Sequence, residues 1–160
     1  MKQNFNKIIN DINNTTKIKE LKEEKHHGIN RYDHSLRVAK MSYQIGNLLK
    51  LKNVEDITVA AMLHDFYFDN QLNEYSKFKK LIIHPIIASQ NASDEIKLNN
   101  VQRNIIEAHM YPLSKVKPNC KEAICVSIAD KLVATYEMIR FKFSNQLGIY
   151  VVFLMNILNK

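Results

Sequence analysis

The sequence predicts a single all-α domain, a compact bundle of about six to eight helices, and three observations carry that prediction. Only three Gly and three Pro occur in 160 residues, too few for the turns of a β architecture. Apolar residues recur at intervals of three and four, as in Val38, Met41, Ile45 and Leu48. No repeat or low-complexity segment divides the chain, and 160 residues suffice for one hydrophobic core without staples.

The elements follow in order. Residues 5–25 read as one or two short helices with interleaved Glu and Lys, and His26-His27-Gly28 breaks the pattern, with both histidines expected on the surface. Residues 1–27 are expected to pack as a helical segment on a body of residues 28–160, one domain overall. A helix is predicted over about 32–51. Asn53, with Asp56 three residues on, resembles an N-cap for the next, which runs to about residue 66. The polar, aromatic stretch 69–80 reads as a loop, and Pro85 suits the first turn of a helix over roughly 85–97. Another helix is expected over about 101–110, ended by Tyr111-Pro112. Two prolines make 112–118 a connector, and Asn119 with Glu122 opens a long helix to about residue 141. A last helix covers 146–158. Its Phe153, Leu154 and Ile157 either close the core or form a dimer contact, which leaves monomer and homodimer open.

Composition bounds the function. The formal charge is +7, from 23 basic and 16 acidic residues, and 19 of the basic residues are Lys. Such a surface draws in anions without choosing among them. The four Arg are scattered and no base-reading motif accompanies them, which disfavours nucleic acid as a partner. Cys120 and Cys125 are five apart with no CxxC, which argues against a disulfide framework or a thiolate zinc site. Residues 1–7 carry no apolar run of a signal peptide, and the longest apolar stretch, 149–155, is too short to span a bilayer. A cytoplasmic location without a membrane partner is expected.

The chemistry is concentrated in His64-Asp65, at the end of the apolar run 57–63. An imidazole and a carboxylate on a buried helix need a partner, and a divalent cation satisfies both. His34 precedes Val38, Met41, Ile45 and Leu48 by 4, 7, 11 and 14 residues and so shares their inward stripe. His109 follows Val101 and Ile105 by eight and four. Asp130 shares a face with Ala123, Ser127, Val133, Ala134 and, at its far end, Glu137. His84 precedes Ile87 and Ala88 at the mouth of its helix. A single buried histidine is more often a core residue bonded to a carbonyl, but four of six on inward faces, two with Asp company, favour a metal. Nitrogen and oxygen ligands without sulfur suit Fe or Mn first, with Zn, Ni, Co or Mg as further candidates. Asp65 is the natural bridge between two ions, which together can hold a hydroxide and clamp a phosphoryl oxygen.

These residues resemble the HD superfamily of metal-dependent phosphohydrolases. The pattern H…HD…D falls on His34, His64-Asp65 and Asp130, within Arg31-Tyr32-Asp33-His34-Ser35-Leu36-Arg37-Val38-Ala39, Ala61-Met62-Leu63-His64-Asp65 and Ser127-Ile128-Ala129-Asp130-Lys131. His84 in His84-Pro85-Ile86-Ile87-Ala88 and His109 in His109-Met110-Tyr111-Pro112-Leu113 are similar to the dinuclear subset. The resemblance implies that His34, His64 and Asp130 hold one ion, that Asp65 bridges, and that His84 and His109 hold the other. It implies hydrolysis of a phosphate ester or anhydride of a small metabolite, a nucleotide foremost, by a metal-bound hydroxide at His64 and Asp65. The alternative is a non-catalytic metal-containing module that binds or senses a nucleotide. Arg37 and Lys131 are auxiliary candidates for phosphate contact and Asp69 for proton transfer. After the His-Asp pair comes Phe66-Tyr67-Phe68-Asp69, without the Lys and the later GYP of the cyclic dinucleotide phosphodiesterases, so that class is disfavoured.

Overall fold

The structure is a computed structural model that describes residues 4–23, 25, 26 and 29–158, with side chains over 4–23 and 30–143. Six α-helices appear in the order α1 (Phe5–Thr15), α2 (Arg31–Leu48), α3 (Val54–Leu63), α4 (Lys77–Glu95), α5 (Asn100–Ala108) and α6 (Lys121–Leu158). Short 3-10 turns cover Lys17–Lys22 and Asp69–Leu72. Among the described residues the one departure from all-α structure is a two-stranded ribbon, β1 (Lys25–His26) paired antiparallel with β2 (Ile29–Asn30), across the break foreseen at 26–28. His27 and the His26 side chain lie outside the described residues, as do the side chains of Phe153, Leu154 and Ile157.

α3 occupies the centre because its segment ITVAAML carries no charge on any face, so only a position surrounded by other helices buries it. It packs against α1, α2, α5 and α6, most extensively against α2. Ile57, Met62 and Leu63 join Val38 of α2, Ile105 and Ile106 of α5 and Val126 of α6 in one core. Ile8, Ile9 and Ile12 of α1 and Ile18 and Leu21 of the following turn belong to the same cluster. The most buried helix therefore delivers His64 and Asp65 into the interior at its C-terminal end.

Gly46 sets how closely α2 approaches α3. A Cβ there would lie 3.1 Å from Ile57 Cδ1 and 3.4 Å from Val54 Cγ2. Gly46→Val is expected to lower stability by about 1–3 kcal/mol, the usual effect of overpacking, measured as a reduced urea midpoint at unchanged m-value. An unchanged midpoint would mean that the two helices slide apart without loss.

The caps explain most helix starts. Asn30 accepts from the Asp33 N–H at 2.7 Å and Ser76 from the Lys79 N–H at 3.4 Å. Asn99 and Gln102 form a reciprocal capping box for α5, a pattern present in the sequence and not among the caps expected from it.

Four expectations need correction. α4 begins at Lys77, so Pro85 lies inside it and the 69–80 segment is half structured. Pro85 cannot donate to the Leu81 carbonyl, but the Ser76 cap and the buried Ala88, Ser89 and Ala92 carry the helix through one missing bond. His84 consequently sits within α4, one turn after Lys80. Nor does the chain break between 141 and 146: α6 is one helix of 38 residues. Asn119 is not its cap, because its N–H bonds Asn104 Oδ1 at 2.9 Å and the helix starts at Lys121. Asn53 stands at the cap of α3 but makes no side-chain capping bond.

Candidate metal centre

α2, α4, α5 and α6 each send one histidine or aspartate to a common point, and the C-terminal end of α3 sends two. His64, the C-cap of α3, is fully buried, and Asp65 follows it directly. His84 of α4, His109 at the C-cap of α5 and Asp130 of α6 are also buried, and His34 of α2 is half-buried. All six sequence-predicted ligands thus meet. His34 Nε2 lies 3.2 Å from Asp130 Oδ1, and His64 Nε2 lies 3.6 Å from that oxygen. Asp65 faces two ways. Its Oδ2 is 3.6 Å from His64 Nε2, while its Oδ1 is 3.2 Å from His84 Nε2 and 3.8 Å from His109 Nε2.

Every one of the four imidazoles has its Nδ1 tied to an acceptor. His64 Nδ1 donates to Ala61 O at 2.8 Å, His84 Nδ1 to Lys80 O at 3.0 Å and His109 Nδ1 to Ile106 O at 2.7 Å. His34 Nδ1 donates instead to a carboxylate, Glu137 Oε2, at 2.8 Å. Carbonyls only accept, so each of these bonds places the proton of the neutral ring on Nδ1 and leaves Nε2 as a bare lone pair. His84 Nε2 and His109 Nε2 are then 3.0 Å apart. Two lone pairs at that distance repel unless a proton or a metal ion stands between them. Among the described residues, neither buried His64 Nε2 nor buried Asp65 Oδ1 has a hydrogen-bond partner. A buried cluster of acceptors without donors fits a cation. The ligand atoms of His34, His64 and Asp130 lie within 4.8 Å of one another, as do those of His64, Asp65 and His109.

The electrostatics agree. Burial opposes charge on His34, but its bonds to Asp130 and Glu137 outweigh that and lift it to about 10. Burial likewise opposes a charged His64, and the Asp65 and Asp130 carboxylates more than offset it. Burial, with the neighbouring His64 and His84, pushes His109 down to about 3, so its Nε2 stays free. Burial would raise Asp65, yet the neighbouring His64 and His84 imidazoles hold it well below the usual carboxylate range. Two ionised carboxylates in the interior must be balanced by protons on His34 and His64 or by a divalent cation that displaces those protons.

The auxiliary candidates are all engaged with the protein. Arg37 Nη1 donates to Glu137 Oε1 at 2.6 Å, so it braces the carboxylate that holds His34. Lys131 Nζ donates to His109 O at 3.0 Å and to Ser127 Oγ at 2.7 Å, and Ser127 Oγ also reaches His109 O. Lys131 therefore closes the end of α5 behind the His109 ring. Asp69 accepts from Arg31 Nη2 at 2.7 Å, with its side chain half exposed.

Two residues, Arg31 and Glu137, had no supporting role assigned from the sequence. Arg31 is buried, donates to Tyr67 O at 2.7 Å and stacks its guanidinium 3.9 Å from the Tyr67 ring centroid. Tyr67 in turn lies 5.2 Å, ring to ring, from His84. Arg31 thus pins the turn that follows His64-Asp65. Its position three residues before His34, one helical turn along the same face, was the available signal. Glu137 had a clearer one, since it follows Asp130 by seven residues, two turns on. Glu137→Ala is expected to weaken divalent cation binding by about 10–100-fold, the usual effect of removing the outer partner of a ligating histidine. Glu137→Gln, which keeps an acceptor for His34 Nδ1, should recover most of it. Titration of Mn against a competing chelator measures both, and equal affinities for wild type and Glu137→Ala would refute the bracing role.

Residues 31–135 match the family model of the HD domain, a span that contains all six converging residues and stops just short of Glu137. No curated protein and no solved structure matches the chain.

Proposed function

The chain belongs to the HD domain family, and from that premise we propose that it hydrolyses a phosphate ester or anhydride of a small metabolite, a nucleotide foremost, with two divalent cations. HD domains are in general metal-dependent phosphohydrolases, and the His/Asp groups of this chain could hold a metal. The observation that carries the dinuclear reading is the division of Asp65: one oxygen faces His64, the other His84 and His109. His34, His64 and Asp130 would hold one ion, His84 and His109 the other, and Asp65 would bridge them. Divalent cations supply an acidified water and charge neutralisation at a phosphoryl group. Fe and Mn suit this nitrogen and oxygen set best.

The protein's own part is positional. Four Nδ1 bonds fix the ring orientations before any ligand arrives, so the Nε2 atoms converge without reorganisation. Arg31 and Tyr67 hold the turn after Asp65, and Ser127 and Lys131 hold the carbonyl of His109.

The test is a turnover assay with Mn or Fe(II) against mononucleotides, dinucleoside polyphosphates, cyclic dinucleotides and short RNA side by side. Fastest release of product from a small ester or anhydride is expected. Faster cleavage of RNA or of a cyclic dinucleotide would overturn the substrate reading. Binding of nucleotides by the metal-loaded protein with no cleavage of any would favour the sensing module instead.

A further inference from the structure

α6 is apolar on two opposite faces, and only one of them is used by the core. Ala123, Val126, Ser127, Asp130 and Val133 face inward. On the other side Ile124, Ile128, Leu132, Tyr136, Ile139 and Phe143 form a continuous stripe, each between 48 % and 72 % exposed. From Ala134 to Phe143 every residue except Glu137 is exposed, so the helix has already left the bundle there. At 1.5 Å per residue its 38 residues span about 57 Å, whereas a compact chain of this size is about 40 Å across.

The spacing along the outer face is that of a coiled-coil seam. Leu132, Tyr136, Ile139 and Phe143 follow intervals of four, three and four. The sequence continues the alternation through Gln146, Tyr150, Phe153 and Ile157, all within the same unbroken helix. Seven of these eight positions are apolar over more than three heptads, a pattern that a solitary surface helix has no reason to keep.

We propose that this face pairs with the same face of a second copy of the chain, the two α6 helices running parallel about a two-fold axis. Three features favour this occupant. The stripe is its own complement in an isologous interface, since equivalent seam positions meet. Register also avoids repulsion: a parallel in-register pair sets Arg140 opposite the Thr135 position and Lys142 opposite the Leu147 position, so no like charges meet across the seam. Four large seam side chains, Leu132, Tyr136, Ile139 and Phe143, leave on the order of 400 Å² per chain before residue 144. That is about half of the 800 Å² per partner that a stable interface takes, and the 4-3 spacing of the sequence runs on to Ile157 within the same helix. The metal centre lies on the opposite side of α6, so both sites remain on the outside of such a pair.

Sedimentation equilibrium on the purified chain at micromolar concentration should give twice the chain mass of 18.7 kDa. Ile139→Glu should sediment as the monomer while keeping wild-type helical circular dichroism and Mn content. Phe143→Glu, at the most exposed position of the stripe, serves as the second variant where Ile139→Glu loses its helix. A monomeric wild-type chain, or an Ile139→Glu or Phe143→Glu chain that folds and stays dimeric, would overturn the proposal. So would a monomeric wild type that floats with phosphatidylcholine/phosphatidylglycerol vesicles while Ile139→Glu does not, because the face would then belong to a membrane.

Discussion

Asp65→Ala is expected to abolish phosphate release, lowering kcat by at least about 10³-fold, or about 4 kcal/mol of transition-state stabilisation. Asp65 stands between the two histidine groups, with Oδ2 3.6 Å from His64 and Oδ1 3.2 Å from His84. No other carboxylate among the described residues takes that place, for Asp130 faces His34 and His64. The loss should appear in kcat rather than KM, and metal content should fall with it. His64→Ala should behave alike, since its Nε2 lies near both carboxylates. Lys131→Ala should cost far less, because Lys131 bonds the His109 carbonyl and Ser127 rather than joining the cluster. Asp65→Ala protein with full metal occupancy and retained turnover would place the chemistry elsewhere.

Metal removal is expected to have the second largest effect. Chelation should lower the melting temperature, and refilling with Mn or Fe(II) should restore it and saturate at two ions per chain. An ion at a hundred times its Kd stabilises by about 2.7 kcal/mol. For a chain of this size each kcal/mol moves the midpoint by about 2–4 °C, so each ion should be worth roughly 5–11 °C. The physical source is the set of buried acceptors: His64 Nε2 and Asp65 Oδ1 have no partner among the described residues, and His84 and His109 meet Nε2 to Nε2 at 3.0 Å. His84→Ala should reduce the content to one ion and remove about half of the shift. Scanning fluorimetry with elemental analysis reads both quantities. Saturation at one ion in the wild type would end the dinuclear reading and leave a mononuclear centre of His34, His64, Asp65 and Asp130.

Helical spacing made most of the converging His/Asp cluster legible. A residue's offset from its apolar neighbours fixes which side of its own helix it occupies, so His34, His64, His109 and Asp130 could be assigned to inward faces without knowing what they would meet. The all-α class was legible for the same reason, together with the shortage of Gly and Pro. His84 was assigned to the right cluster for a weaker reason. Pro85 suggested a helix start, whereas α4 starts two turns earlier at Lys77 and tolerates the proline inside. A local rule about the missing N–H could not weigh the packing of the turns on either side.

Sequence alone therefore determined which residue types face inward and at what intervals, because backbone periodicity is a local property. Only the tertiary structure decided how those faces pair. Glu137 meets His34 across 103 positions of chain and is braced there by Arg37. Arg31 folds over Tyr67 to hold the turn after Asp65, and Lys131 turns to the His109 carbonyl. Each of these bonds depends on where one helix crosses another, which is set by side-chain interdigitation across the whole core; a stretch of sequence marks the face that a residue occupies but not the partner it meets there.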